Sequence, residues 1–159
     1  MGTFPSGTSL AHQPPAVEGN PLVSSAVAVP AAEPPVGTPR GEWALRPEPQ
    51  SARLARRLVA QAIDNGDDQL RRRAALVTSE LVANGLRHAR GGLVLSVHRL
   101  ACGWVVAVAD DSPAPPVVRD VGQLSEAGRG LMIVGRVSDT LGWARTPTGK
   151  VVWAQVGST

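Results

Sequence analysis

Apolar residues in the segment SARLARRLVAQAID recur every four positions, at Leu54, Leu58 and Ala62, which is the spacing of one helix face. Ser51 stands where an N-cap is expected, and Asn65-Gly66 ends the segment. Past Asp67 and Asp68, either of which suits a cap, Leu70, Ala74, Val77 and Leu81 form a second stripe. It predicts a longer helix to about His88 or Ala89, stopped by Arg90-Gly91-Gly92. The period then changes. Residues 93–98 and 104–109 read as strands joined through Ala101-Cys102-Gly103, a hairpin. A Pro-rich loop, DDSPAPPVV, follows, and then a short glycine-flanked helix from near Gly130 to around Ser138. Two last strands, roughly 141–146 and 150–156, flank Pro147-Thr148-Gly149. The order predicts an α+β fold, a two-layer sandwich. Its sheet is mixed and mostly antiparallel, with two or three helices on one face. No internal repeat is present.

Residues 1–39 differ in kind. They hold eight prolines and only two charged residues, Glu18 and Glu33, and show neither helical nor strand periodicity. Such sequence cannot bury enough surface to offset its ordering entropy. The apolar run 22–29 is bracketed by Pro21 and Pro30. The expected organisation is a disordered Pro-rich tail over 1–39 and one domain over 40–159. Apolar runs stop well short of the roughly 20 residues of a membrane-spanning helix. The N-terminus lacks the basic start and apolar stretch of a secretory signal. A soluble, cytoplasmic chain without membrane contact is expected. The single cysteine, Cys102, excludes an intramolecular disulfide framework and a multi-cysteine zinc site.

Sixteen basic residues against thirteen acidic give a net charge of +3, and the isoelectric point is about 10.4. All the basic residues except Lys150 are arginines, whose high pKa inflates that value. A basic chain suggests nucleic-acid binding. This one has no recognised DNA-reading motif and no aromatic interleaving, so direct nucleic-acid contact is not expected. Arg71-Arg72-Arg73 reads as a solvated helix face or as a dock for an acidic partner.

Three constellations carry candidate chemistry. Glu80 and Asn84 are spaced one turn apart on the long helix, with His88 a turn further, beside the Val77/Leu81 stripe. A carboxylate there can accept a proton or orient water, and an amide oxygen suits Mg²⁺; a solvated helix edge is the alternative. Asp110-Asp111-Ser112-Pro113 stands where a strand ends. An aspartate there can accept from an exocyclic amine such as the adenine 6-amino group, or it can serve a turn. Gly128-Arg129-Gly130-Leu131 opens an apolar helix. There the backbone can approach a phosphate, free amides favour an anion and Arg129 can add a charged contact; a plain linker is the other reading. No P-loop or dinucleotide fingerprint occurs.

Taken in order, the stretches LVTSELVANGLRHA, VAVADDSPAPP, GRGLMIV and GKVVWAQV resemble the histidine-kinase-like ATP-binding superfamily with the Bergerat (GHKL) fold. More closely they resemble its small bacterial anti-sigma-factor serine/threonine kinases and their single-domain regulatory relatives. The resemblance covers roughly 45–156. It implies Glu80 as general base and Asn84 as ligand of Mg²⁺. It implies Asp110, with Ser112 beside it, at the adenine, and Gly128, Arg129, Gly130 and Leu131 as a lid over the phosphates. ATP and Mg²⁺ are the implied cofactors. A sigma factor and a small antagonist of the anti-anti-sigma type are the implied partners, with homodimerisation left open. Three departures stand out. Gly85 replaces the usual Ala, a Ser-Pro-Ala-Pro-Pro run replaces a second glycine-rich segment, and Val151 stands where many relatives place Thr near the adenine. The implied function is phosphorylation of the antagonist in partner-switching control of transcription; the alternative is a non-catalytic module that sequesters a partner.

Overall fold

The computed structural model describes residues 26–64, 67–119 and 129–157. The helix stop expected at Asn65-Gly66, residues 1–25 of the expected tail and Gly128 lie outside these. The chain runs β1 (Ala26–Ala28), β2 (Thr38–Leu45), α1 (Ser51–Ala62), α2 (Asp68–His88), β3 (Leu93–Leu100), β4 (Gly103–Asp110), β5 (Val117–Arg119), α3 (Arg129–Val137), β6 (Thr140–Thr146) and β7 (Gly149–Val156). The main sheet has five strands in the order β2-β3-β4-β7-β6. Each neighbouring pair is antiparallel. The three helices cover one face, which is the α+β sandwich the alternation of periods predicts.

Strand alternation decides what each face buries. Leu93, Leu95 and Val97 of β3, Trp104, Val106 and Val108 of β4, and Val152, Ala154 and Val156 of β7 turn toward the helices and form the main core with them. In α2 the expected stripe of Leu70, Ala74, Val77 and Leu81 is buried. Asp67 caps the helix, its Oδ1 accepting from Leu70 N at 2.6 Å, and Arg87 and His88 in the last turn favour its negative end. In α1 the buried stripe is displaced by one residue from the expected one. Ala55, Val59 and Ile63 are buried, while Leu54 is 40% exposed and Leu58 and Ala62 only border the core. Small Ala55 lets α1 approach its neighbour closely, which a leucine at that point would prevent. Ser51 is not the cap either: it is the first helical residue, buried, and its Oγ donates to Arg46 O at 2.7 Å.

The N-terminal segment departs most from expectation. Residues 26–39 are built onto the sheet, so the boundary expected after residue 39 falls inside β2. Strand β1 pairs with β5. Ala31 bridges Trp143 in parallel, the one such pairing on the sheet edge among the described residues, with Ala32 N donating to Trp143 O at 2.8 Å. Beyond Ala31 the chain crosses the sheet face that the helices leave open. Trp153 Nε1 donates to Ala32 O at 2.8 Å. Residues 34–37 face Ser96, His98, Ala107 and Val151 across a cavity of about 270 Å³. Seven extended steps reach about 23 Å, enough to cross five strands spaced about 4.8 Å apart. Pro34 and Pro35 suit this path, because an extended strap lying across strands needs no ladder donors. The strap covers a small second core of Val105, Ala107 and Trp153.

Candidate functional site

The long helix α2 brings the first constellation to the helix–sheet interface. Asn84 is buried, 4% exposed, and Glu80 is half-buried one turn before it. Asn84 is therefore no solvated edge. Gly85 seats this turn on the sheet: a Cβ there would meet Leu93 Cδ2 at 2.9 Å and Val108 Cγ1 at 3.4 Å. An alanine, expected by resemblance, would push into Leu93, which accounts for the glycine. The same seat brings α2 down beside Val108, two residues before the end of β4.

Glu80 meets the third constellation directly. A Cβ at Gly130 would meet Glu80 Oε2, so the first turn of α3 lies against this carboxylate and a side chain there would have to turn the Glu80 carboxylate aside. Arg129 is the first residue of α3. Leu131 lies elsewhere: it is 2% exposed and part of the main core. Its side chain anchors α3 in the core, where burial of an apolar side chain is favourable.

At the end of β4 the sheet carries its most unusual group. Asp110 stands opposite Lys150 in the β4–β7 register, both on the helix-facing side. Lys150 Nζ donates to Asp110 Oδ1 at 2.9 Å, and the two side chains are 0% and 1% exposed. Ser112 N also donates to Oδ1, at 2.8 Å, and Lys150 Nζ reaches Ser112 O at 3.4 Å. Asp110 Oδ2 is buried as well and has no hydrogen-bond partner among the described residues. Gly149 lets the β6–β7 turn press on this point, since a Cβ there would collide with Asp110 O and come within 2.7 Å of Asp111 Cα. Ion pairs this deep are costly to desolvate, and a buried carboxylate oxygen without a donor adds to the cost. An N–H donor placed against that oxygen would offset this cost.

Neighbouring groups hold the frame. Asp111 accepts from Arg90 N at 2.8 Å and from Gly91 N at 2.9 Å, tying the end of α2 to the end of β4. His88, Arg90, Asp111, Ser112, Pro113 and Ala114 surround a cavity of about 380 Å³. Arg73 is not part of a solvated arginine face. Its guanidinium donates to Val137 O, Gly157 O and Asp139 Oδ1, joining α2 to the end of α3 and of β7. Cys102 is exposed in the β3–β4 turn.

Sequence reasoning missed Lys150 as a site residue and assigned the adenine side to Val151. Val151 instead turns to the opposite face and packs under the strap, because successive residues of a strand point to opposite sides. Lys150 was detectable in one respect: it is the sole lysine among sixteen basic residues, and it sits in a strand whose only other polar side chain is Gln155.

No curated protein sequence matches the chain. The family model described as Histidine kinase-like ATPase domain matches residues 45–156, from the last residue of β2 through the last residue of β7. That span contains α2 with Glu80 and Asn84, the Asp110–Lys150 pair and the first turn of α3. With this match over most of its length, and with three helices on one face of an antiparallel sheet, the chain belongs to the histidine kinase-like ATPase domain family, an ATP-binding fold.

Proposed function

We propose that the protein holds ATP·Mg²⁺ between α2 and the sheet. It transfers the γ-phosphoryl group to a serine of a small antagonist protein, as an anti-sigma-factor-type serine/threonine kinase in partner-switching control of transcription. The observation that carries the nucleotide part is Asp110 Oδ2, a buried acceptor without a partner among the described residues at the end of a central strand. The adenine 6-amino group is a donor of the right kind. The protein-partner part is supported by the resemblance of the four motif stretches to the small regulatory kinases.

In this reading each side chain has a limited task. Asp110 accepts from the base and fixes its orientation. Asn84 offers a hard amide oxygen, with the Glu80 carboxylate one turn away, a donor set that suits Mg²⁺. When bound, the metal neutralises phosphate charge. Gly130 lets the start of α3 close on Glu80 without a side chain in between, and the amides of that first turn favour an anion. Arg129 adds positive charge where the transferred group carries its negative charge. Glu80 takes the proton from the attacking serine hydroxyl.

The alternative, a sequestering module of the same fold, rests on Val151 and on the Pro-rich tail as a docking segment. Val151 lies under the strap on the far side of the sheet, which weakens the first of these supports. One experiment separates the two. Wild type and Glu80→Gln are incubated with labelled ATP and a purified antagonist-type partner. Transfer by the wild type, slowed about 10²- to 10⁴-fold in Glu80→Gln with ATP binding retained, is the expected result. A wild type that binds both ATP and partner but transfers nothing makes the protein a sequestering module.

A further inference from the structure

The Asp110–Lys150 pair has a property that charge balance alone does not require. A carboxylate with both oxygens available is a two-acceptor fork, suited to two neighbouring N–H donors. Guanine offers such a pair on its N1 and 2-amino nitrogens. Adenine does not: its 6-amino donor sits next to N1, which is an acceptor. An open fork facing adenine would set one oxygen on the amine and the other against a lone pair. In this protein the fork is closed on one side. Oδ1 takes donors from Lys150 Nζ at 2.9 Å and Ser112 N at 2.8 Å, and only Oδ2 is left over.

We infer that Lys150 is a positioning residue that sets the choice of nucleobase: by occupying Asp110 Oδ1 it leaves a single acceptor, which fits the lone donor of adenine and penalises guanine. This rests on the ATP-binding reading above and adds a determinant to it. The residue type fits the task. Lys150 has three donors on one nitrogen, and it contacts one oxygen of Asp110 while also reaching Ser112 O at 3.4 Å. An arginine would engage both carboxylate oxygens at once and leave nothing for the base. Fifteen of the sixteen basic residues are arginine, yet the position facing Asp110 is lysine. The lysine's backbone is also fixed, since Gly149 packs directly on Asp110 O and Asp111.

The test is the ratio of GTP to ATP dissociation constants, measured calorimetrically for wild type, Lys150→Met and Ser112→Pro. Lys150→Met removes the larger cap on Oδ1, and Ser112→Pro removes the amide cap while leaving the lysine in place. Wild type is expected to prefer ATP. The preference should fall roughly tenfold or more in Lys150→Met, the worth of a hydrogen bond to a charged group, and severalfold in Ser112→Pro. Equal weakening of ATP and GTP, with the ratio unchanged, would mean that Lys150 only supports the fold, and the inference fails while the ATP-binding reading stands. If melting shows that Lys150→Met does not fold, Lys150→Arg is read instead: it keeps the charge but engages both carboxylate oxygens, and an unchanged ATP preference there overturns the inference. A wild type that binds no ATP removes the functional reading and this inference with it.

Discussion

Strands β4 and β7 present two faces of the same ladder, and the two faces treat polar groups differently. On the back, the one buried polar atom of the small core, Trp153 Nε1, is satisfied by Ala32 O of the strap at 2.8 Å. At the sheet edge Trp143 Nε1 likewise donates to Val29 O at 3.1 Å. On the front, the side chains of the Asp110–Lys150 pair are buried, yet the pair leaves Oδ2 without a donor among the described residues. Folded chains satisfy nearly all of their buried polar groups. Among the described residues the back face is therefore complete, and the front face leaves one buried acceptor open. The contrast separates scaffold from site without reference to sequence similarity.

The comparison can be broken most forcefully at the front. Lys150→Met leaves Asp110 as a buried charge without a counter-ion, and the expected loss is about 3–5 kcal/mol of unfolding free energy, read from denaturant titration. A loss under about 1 kcal/mol would mean that water reaches Asp110 and that the front pair is not sealed. At the back, deletion of residues 1–37 removes Val29, which is 4% exposed, and uncovers Val105, Ala107 and Trp153. It is expected to cost at least about 2 kcal/mol, the worth of one buried valine. An unchanged midpoint would show that the strap contributes no cover.

Finer changes sharpen the same contrast. Trp153→Phe removes the indole donor to Ala32 O together with the part of the ring packed on Gly142, and should cost about 2–3 kcal/mol. On top of the strap deletion it should cost about 1 kcal/mol less, because the hydrogen-bond partner is already gone. Gly85→Ala should move stability least, within about 1 kcal/mol. The gain in helix propensity is about that size, and displacement of Leu93 offsets it. A loss of several kcal/mol there would mean that the α2–sheet contact cannot yield.

These expectations also show what was legible in the chain. Helix α2 was, because its cap, stripe and stop are all local signals within one segment. The β3–β4 and β6–β7 hairpins were, because their turns lie between apolar alternations. Strand β2 and the strap were not. Pro30, Pro34, Pro35 and Pro39 read locally as an unstructured tail. The partners that order them, Trp143 and Trp153, lie more than a hundred residues away. The α1 stripe was displaced because Leu54 outweighs Ala55 in hydrophobicity, whereas the packing favours the smaller residue. At the site, helical spacing placed Glu80 and Asn84 on one face and the strand pattern placed Asp110 at a strand end, while the roles expected of them came from the resemblance of the motif stretches. Lys150 was not: its role depends on a cross-strand register between residues 40 positions apart.

The central claim is that Asp110 Oδ2 awaits the amine of adenine. Calorimetry of the unmodified protein with ATP, and with purine riboside 5′-triphosphate, which differs only in lacking that amine, tests it most directly. The account predicts that ATP binds and that the analogue binds at least about tenfold more weakly, the equivalent of one hydrogen bond to a charged acceptor. Equal affinity for the two nucleotides, or no binding of ATP at all, would contradict it.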